Sequence, residues 1–285
     1  MTPRGRAYTA QRAAVERILQ VLYAGDWPAR LWAQVPGATT VQVRRAQLPL
    51  LPPGTPPLRL GFASDLHLGP TTPPALLRAA AEALAEARLD LLLMGGDYVF
   101  LDANPTKARA LADWAAAIPA RLGRFAVWGN HDLWTRHDLL EEALSAIGVR
   151  WLVNEGLRLP DPYGDIGLFG LDDPWTGAPD PAAALAPLSG CAVRIGLAHA
   201  PDALPLLPPG AASVLLCGHT HGGQLALPGG RPLYVPGHAG QRWPWGRHEV
   251  EGTTLLVSRG LGGVEIPMRA HAPPDVWVVD LHARA

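Results

Sequence analysis

Apolar residues along the chain follow two spacings, one typical of helices and one typical of buried strands. Residues 58–63 and 89–94 form almost wholly apolar runs of strand length. Residues 74–87, between these runs, carry Ala and Leu at helical spacing. This alternation predicts parallel strands joined by helices at the start of a domain.

The remainder of the chain continues this pattern and becomes richer in strands. Helices are predicted over residues 107–117 and 138–147, each followed by a short apolar run. The whole order predicts an α/β sandwich whose strands share one active edge. The further predicted strands cover residues 125–128, 149–153, 166–171, 193–197, 214–217, 253–258 and 275–281.

The N-terminal segment has a helix of a different character. Residues 10–23 are predicted to be helical, with an apolar stripe on one face. Such a stripe most often packs against the rest of the domain, and peripheral membrane contact is the alternative. The stripe consists of Ala14, Val15, Ile18, Leu19 and Leu22, and the arginines Arg6, Arg12 and Arg17 make this end basic.

A Pro-rich stretch separates this helix from the main apolar pattern. Residues 48–57 contain several prolines and are predicted to be a connecting segment. The chain is therefore divided into an N-terminal helix with its connecting segment, 1–57, and a catalytic domain, 58–285.

Composition and charge narrow the class of protein. Hydrophobic residues make up 48% and charged residues 17% of 285 residues, which is typical of a globular protein. The net charge of -1 and the lack of a basic tract give no indication of a nucleic-acid partner. Cys191 and Cys217 lie in apolar surroundings, which favours buried free thiols and a reducing compartment.

The first residues are polar and carry no apolar signal core, and no apolar run is long enough to span a bilayer. A cytoplasmic location follows as the expectation, with membrane association through the N-terminal helix as the alternative. No feature of the sequence indicates an oligomeric state.

Polar residues of metal-ligand type follow five of the predicted strands. The carboxyl ends of strands in α/β sheets gather at one edge, so these side chains are expected to converge. A lone Asp can be a cap or turn residue, and a lone His is more often unconnected with metal, but this ordered combination favours a site. The residues are Asp65, His67, Asp97, Asn130, His131, His199, His219 and His221.

The residue types suit a dinuclear metal centre. Carboxylate, imidazole and amide oxygen favour Mn, Fe or Zn over soft copper. Asp97 has two carboxylate oxygens and can bridge two cations. Two cations about 3.5–4 Å apart can hold a phosphate and acidify a shared water. We therefore expect two divalent metal ions and a phosphoester substrate.

The motifs that carry these residues resemble the signature of the calcineurin-like metallophosphoesterase superfamily. The order Asp-x-His, Gly-Asp, Gly-Asn-His-Asp, His-Ala-Pro and Gly-His-x-His extends over roughly residues 58–281. Residues 218–224, 152–154, 170–173 and 257–262 further resemble the bacterial YkuE/YaeI-type phosphodiesterase branch.

The resemblance implies a four-layer α/β/β/α sandwich of two mixed sheets flanked by helices. It also implies that His131 faces the substrate and assists the leaving oxygen. The implied metal ligands are Asp65, His67 and His221 for the first ion, Asn130, His199 and His219 for the second, and Asp97 as the bridge.

The implied activity is that of a dinuclear metal-dependent phosphodiesterase. A metal-bridging hydroxide would attack phosphorus in line, on a substrate that is nucleotide-linked or lipid-linked. A phosphomonoesterase of the same mechanism is the first alternative. A non-catalytic binding scaffold is the second, and the presence of every implied ligand argues against it. A nuclease is disfavoured by the missing basic tract.

A few residues depart from the family pattern or stand outside it. Some relatives carry an acidic residue three positions after the bridging Asp, where this chain has Phe100, so the partner that orients His131 must come from elsewhere. Asp132 is adjacent but can point away. Arg259, in a Gly-rich turn after a strand, is a candidate for substrate phosphate, with a surface ion pair as the alternative.

Overall fold

Two six-stranded sheets face each other in the structure, a computed structural model that describes residues 8–284. Helices cover the outer face of each sheet, so the polypeptide forms four layers. The predicted α/β/β/α sandwich of two mixed sheets is confirmed.

The first sheet contains the strands that deliver the earlier polar motifs. Strands are numbered along the chain, and those of this sheet are β1 (Gln42–Leu51), β2 (Leu58–Ala63), β3 (Leu89–Met94), β4 (Ala120–Ala126), β5 (Val149–Trp151) and β14 (Asp275–Ala283). Their order is β1-β14-β2-β3-β4-β5, and only the pair β14 and β2 is antiparallel.

The second sheet contains the strands that deliver the later motifs. They are β6 (Glu155–Arg158), β7 (Ile166–Gly170), β8 (Val193–Leu197), β9 (Val214–Cys217), β12 (Gly246–Val250) and β13 (Thr253–Val257). The order is β12-β13-β9-β8-β7-β6, with antiparallel strands at both edges and parallel strands inside. A separate two-stranded ribbon is formed by β10 (Ala226–Leu227) and β11 (Arg231–Pro232).

Helices lie before and between these strands. They are α1 (Ala10–Leu22), α2 (Trp27–Trp32), α3 (Pro74–Glu86), α4 (Pro105–Ala116), α5 (Asn130–Leu133), α6 (His137–Ser145), α7 (Pro181–Leu185) and α8 (His238–Arg242). Short 3₁₀ turns occupy Ala186–Leu188, Pro201–Leu206 and His221–Gly223.

Three hydrophobic cores correspond to the three interfaces between the four layers. In β3, Leu92 and Met94 face the helices, whereas Leu91 and Leu93 face the second sheet. Because successive strand residues point to opposite faces, a strand buried on both faces must be apolar throughout. This explains why the inner strands appear in the sequence as almost wholly apolar runs, with one charged residue near the start, such as Arg59 in β2 and Asp90 in β3.

The stretch predicted to be a connecting segment begins as part of the first sheet. β1 runs parallel to β14 from Gln42, and Leu48 and Leu51 are buried in the core between the two sheets. The prediction that residues 48–51 are a connection is therefore wrong. Proline usually argues against a strand, but β1 lies at the edge of the sheet, where a strand tolerates Pro49. The division of the chain at residue 57 stays a prediction.

The N-terminal helix packs with its polar face inwards. Glu16 is buried and accepts hydrogen bonds from Tyr8 Oη (2.7 Å) and Arg12 Nε (3.0 Å). On the outer face, Ile18 is 65% and Val21 is 81% exposed. The interpretation that the apolar stripe packs against the domain is therefore wrong.

Arg6, one of the arginines that make the N-terminal end basic, lies outside the described residues. Within residues 8–284, none of the helices has the length and apolar character that crossing a bilayer would require.

Replacing Leu48 by Ala should reveal whether β1 belongs to the core. Leu48 is 1% exposed, so its truncation leaves a cavity and should lower the free energy of unfolding by about 2–5 kcal/mol. Arg45→Ala, on the exposed side of the same strand, should change it by no more than about 0.5 kcal/mol. Urea unfolding measures both variants. Equal stabilities would show that the strand is not part of the packed core.

Candidate metal centre

The polar side chains at the strand ends converge where the two sheets meet. The first sheet supplies four of them, after β2, β3 and β4, and the second sheet supplies three, after β8 and β9. All are nearly excluded from solvent, with exposed fractions between 0% and 7%. They are Asp65, His67, Asp97 and Asn130 from the first sheet, and His199, His219 and His221 from the second.

These residues form two groups of candidate ligands. In the first group, ligand atoms of Asp65, His67 and His221 lie within 4.8 Å of one another, and Asp97, His199 and His219 do the same in the second. Asn130 Oδ1, 3.2 Å from His199 Nε2, lies beside the second group.

The Asp97 carboxylate lies between the two groups. Its Oδ2 is 3.6 Å from His67 Nε2 in one group and 3.2 Å from His199 Nε2 in the other. A carboxylate in this position can reach a cation on either side.

Acceptor atoms face one another in a way that suits cations. His67 Nε2 and His221 Nε2 are 3.2 Å apart, as are His219 Nδ1 and His199 Nε2. Metal–nitrogen bonds of about 2.0–2.1 Å place neighbouring ligand atoms at roughly this separation. The donor set and its spacing therefore fit divalent metal ions.

Hydrogen bonds outside the groups orient two of the rings. The Nδ1 of His199 is 2.8 Å from the carbonyl oxygen of Gly95, so Nδ1 donates and Nε2 is free to bind a cation. His221 differs, because Arg269 Nη2 lies 3.0 Å from its Nδ1. A histidine that binds metal through Nε2 carries its proton on Nδ1, so this guanidinium would have to turn away when a cation binds.

The backbone is strained at most of the candidate ligands. Left-handed φ angles are uncommon outside glycine and concentrate at functional sites. Here they let a side chain leave the end of its strand towards the shared site. The residues concerned are Asp65 (φ 54°), His67 (46°), Asp97 (55°), His219 (69°) and His221 (51°).

Asp132 ties two of the ligand loops together. Its carboxylate accepts hydrogen bonds from the backbone N–H groups of Asp97 (2.8 Å), Tyr98 (2.8 Å) and Gly129 (3.0 Å). It therefore points away from the ring of His131. A Cβ on Gly129 would lie 2.2 Å from Asp97 Oδ1, so only glycine permits this approach. Adjacency in the sequence gave no indication of this role.

Burial determines the electrostatics of the groups. It raises the pKa of Asp65 to about 6 and lowers the pKa of His67 to about 4 and of His219 to about 3. Burial also favours protonation of Asp97, but His199 and neighbouring histidines more than offset it and hold the pKa of Asp97 well below its usual range. His67 and His219 are therefore neutral near pH 7, the form that binds metal.

His131 is held by aromatic packing. Its ring lies 4.6 Å from Trp134, 5.0 Å from His67 and 5.7 Å from Phe100, measured between ring centroids. Among residues 8–284, no side chain or carbonyl hydrogen-bonds to its ring nitrogens. Burial lowers the pKa of His131 well below its usual range. Phe100 stands where some relatives have an acidic residue and cannot accept a hydrogen bond from His131. Contacts with neighbouring rings hold His131 instead.

A cavity of about 570 Å³ opens beside Asp97, Asn130, His131, His219 and His221. Most of its other walls are apolar, and they come from loops on both sides of the cluster. The apolar lining consists of Trp134, Trp175, Leu225, Leu233, Tyr234, Pro236, Val264 and Ile266.

Two of the stretches that resemble the YkuE/YaeI-type branch, residues 152–154 and 170–173, support one wall of this cavity. Trp175 lies 4.6 Å from His219, between ring centroids. Its loop is fixed by Asp173, which accepts from the Trp175 N–H (3.1 Å). Asn154 Oδ1 accepts from the N–H of Asp172 (3.0 Å) and of Asp180 (2.8 Å). Residues 152–154 and 170–173 therefore cooperate to hold Trp175.

Arg259 lies elsewhere. It is 4% exposed and does not line the cavity beside the cluster. No carboxylate among residues 8–284 pairs with it, so the surface ion pair is not formed. Its contact with substrate stays a prediction.

Comparisons with known proteins agree with this geometry. Residues 58–223 match the family model for calcineurin-like phosphoesterases. The Escherichia coli protein named phosphodiesterase YaeI is 30% identical over 229 residues, which cover 79% of this chain and 82% of that protein. Bacillus subtilis YkuE, an uncharacterized metallophosphoesterase, is 29% identical over 235 residues, 81% of this chain and 82% of that protein.

A longer relative matches the chain over only part of its own length. The Danio rerio protein named transmembrane protein with metallophosphoesterase domain is 31% identical over 264 residues. The match covers 86% of this chain and 57% of that protein.

Asp132→Ala should weaken cation binding although Asp132 touches no cation ligand atom. The change leaves three buried N–H groups without their acceptor and loosens the loops that carry Asp97 and Asn130. We expect affinity for divalent metal to fall by about 10–100-fold, as for other residues that orient ligands. Metal titration by calorimetry measures it, with Asp113→Ala on the exposed face of α4 as control. Unchanged affinity would assign Asp132 to folding alone.

Proposed function

The chain belongs to the calcineurin-like phosphoesterase family and is a metal-dependent phosphoric ester hydrolase, and we propose that it cleaves phosphodiesters. The family and the two ligand groups indicate two divalent metal ions. The observation that carries the proposal is the position of Asp97 between the groups, beside an open cavity.

We assign the ligands by group. Asp97 would bind both cations because its Oδ2 faces each group. Two bound cations would neutralise phosphate charge and acidify a water molecule. The first ion would be held by Asp65, His67 and His221, and the second by Asn130, His199 and His219. Their carboxylate, imidazole and amide atoms favour Mn, Fe or Zn.

His131 is proposed as the catalytic residue that contacts the substrate directly. Its ring lines the cavity and leaves its nitrogens free of hydrogen bonds within the described chain. Its backbone N–H donates to Asp97 Oδ1 (2.8 Å), which fixes the loop beside the cluster. A neutral imidazole can donate an N–H to the leaving oxygen, and this bond strengthens as negative charge develops there.

The cavity favours a diester over a monoester. A phosphodiester carries a second organic group, which must be accommodated beside the cations. Apolar walls such as Trp134, Trp175 and Leu233 would accept the organic part of a nucleotide-linked or lipid-linked substrate. The relative YaeI is named a phosphodiesterase. Phosphomonoesterase activity by the same mechanism is the alternative.

Activity on model substrates tests the proposal. The full chain is loaded in turn with Mn, Fe, Zn and Mg and assayed with bis-p-nitrophenyl phosphate and p-nitrophenyl phosphate. A higher kcat/KM for the diester supports the proposal, and a higher value for the monoester supports the alternative. Absence of turnover with both substrates and every metal would support the scaffold hypothesis.

His131→Ala should separate a substrate contact from a metal ligand. We expect metal content to stay near two equivalents while kcat falls by about 10²–10⁴-fold, the usual range for this kind of assistance. The loss should be larger for an alkyl leaving group than for p-nitrophenolate, because the alkoxide develops more charge. Elemental analysis measures the metal content. Kinetics with two diesters, one with an alkyl leaving group and one with p-nitrophenolate, measure the loss of kcat. Asp97→Asn is the comparison and should lose metal together with activity.

Two results would contradict the assignment of His131. Loss of metal in proportion to activity would make it a ligand. Equal losses with both leaving groups would exclude contact with the leaving oxygen.

We also propose that α1 lies on an anionic lipid surface. Its exposed residues Ile18, Val21 and Leu22 form an apolar face, and Arg17 is exposed on the same helix. This combination is typical of helices that lie in a membrane interface. On its inner side, Tyr23 Oη donates to the carbonyl of Glu265 (2.8 Å), whose loop lines the catalytic cavity. The helix would therefore hold the cavity close to the lipid.

Vesicle binding tests this placement. Ile18→Ser combined with Val21→Ser removes apolar area from the exposed face, and binding to phosphatidylcholine vesicles containing phosphatidylglycerol should weaken by about tenfold or more. Gln11→Ser combined with Gln20→Ser is the control on the same helix and should bind as the unmodified chain does. Flotation of the vesicles through a density gradient gives the fraction of protein that is bound. A concentration-dependent dimer abolished by the first variant would assign the face to a second copy instead.

A further inference from the structure

A second cavity, of about 620 Å³, lies apart from the metal cluster. It is bounded by α2 and the loop after it, by β1, by the start of α3 and by the loop after β13. It shares no lining residue with the catalytic cavity. Apolar side chains such as Trp32, Leu76 and Pro273 form part of its wall, and three arginines line it as well: Arg44, Arg259 and Arg269.

Arg259 has no acceptor for its guanidinium. The residue is 4% exposed, and its Nε is buried without a hydrogen-bond partner. Among the described residues, none accepts from its side chain, and its main contact is stacking on Trp245, with Cζ 3.6 Å from the ring centroid. Stacking occupies the face of the guanidinium and leaves its N–H edges available.

The other two arginines already have partners. Arg44 donates through Nε to Asp275 Oδ2 (2.7 Å) and through Nη2 to Gln42 (3.1 Å). Arg269 donates to backbone carbonyls, including those of Arg259 (2.8 Å) and Ala272 (3.0 Å). Both still add positive charge to the cavity.

The carboxylate of Asp275, which pairs with Arg44, already accepts hydrogen bonds at both oxygens. Asp275 Oδ2 pairs with Arg44, while its Oδ1 accepts from Ser258 Oγ (2.6 Å) and from the backbone N–H of Arg259 (2.9 Å). The Asp275 carboxylate thus pairs with Arg44, and among the described residues no carboxylate forms an ion pair with Arg259 or Arg269. Burying an unpaired cation is costly, because the charge loses its hydration without gaining a counter-charge.

We propose that Arg259 binds the phosphate group of a phosphate ester, or free phosphate, in this second cavity. The planar guanidinium edge matches two phosphate oxygens, and Arg44 beside it adds attraction. Burial and Arg44 lower the pKa of Arg259 to about 10, so it still carries its charge at neutral pH. The apolar walls would contact the organic part of an ester.

The second cavity takes no lining residue from the catalytic cavity, so the site can be tested apart from the reaction proposed there. Two contacts link it to the metal cluster: Arg269 bonds the carbonyl of Arg259 and lies beside His221, and the N–H of Gly262 donates to the carbonyl of Asp65 (2.7 Å). Phosphate binding at the two places can therefore be counted separately.

Equilibrium binding of inorganic phosphate to the metal-loaded full chain tests the proposal, at constant ionic strength set by chloride. The unmodified chain should bind two equivalents, one at the metal ions and one at Arg259. Arg259→Gln should lose one equivalent, or bind it at least about tenfold more weakly, because charge-assisted bonds are removed. Arg247→Gln, an exposed arginine of β12, is the charge-matched control and should keep both equivalents.

A second arm uses hexyl phosphate in place of inorganic phosphate. Tighter binding of the ester at the Arg259-dependent site would identify an esterified ligand, and tighter binding of inorganic phosphate would identify free phosphate. Arg259→Lys, which keeps the charge, should bind with intermediate affinity, and it replaces Arg259→Gln if that variant fails to fold. A single equivalent in the unmodified chain that both Arg259 variants retain, or two unchanged equivalents in both variants, would overturn the proposal. A single equivalent that both variants lose would support it and would count against phosphate binding at the metal ions.

Discussion

The burial of acceptor atoms against one another is the constraint on which the rest of the structure depends. Seven carboxylate, imidazole and amide side chains are excluded from solvent at one edge, with ring nitrogens only 3.2 Å apart. Such a cluster is unfavourable unless cations lie within it. The left-handed backbone at most of these residues and the Asp132 bonds are the means by which the chain maintains this arrangement.

Each candidate cation group draws on both sheets. The first combines Asp65 and His67 with His221, and the second combines Asp97 with His199 and His219. A cation in either group would therefore connect the two halves of the sandwich directly. Metal binding and the packing of sheet against sheet are thus coupled, because a ligand set drawn from separate elements exists only in the folded state.

The N-terminal segment contributes residues to both cavities. Residues 58–223 match the family model, yet Arg12 from α1 lines the catalytic cavity and Arg44 from β1 lines the second one. α1 can present apolar residues outwards because its inner face is satisfied by polar contacts, namely the Glu16 bonds and the ion pair between Arg12 and Glu265. An outward apolar face and an inward polar face are two sides of one packing arrangement.

The sequence by itself determined the strand cores and the identity of the ligand candidates. Runs such as residues 89–94 are apolar because both faces are buried, and polar residues directly after them must lie at the sheet edge. Only the tertiary structure decided which way α1 faces, that β1 joins the sheet, and that Asp132 and Trp175 support the site. It also separated Arg259 from the catalytic cavity. These features depend on contacts between residues distant in the chain, and local periodicity carries no information about such contacts.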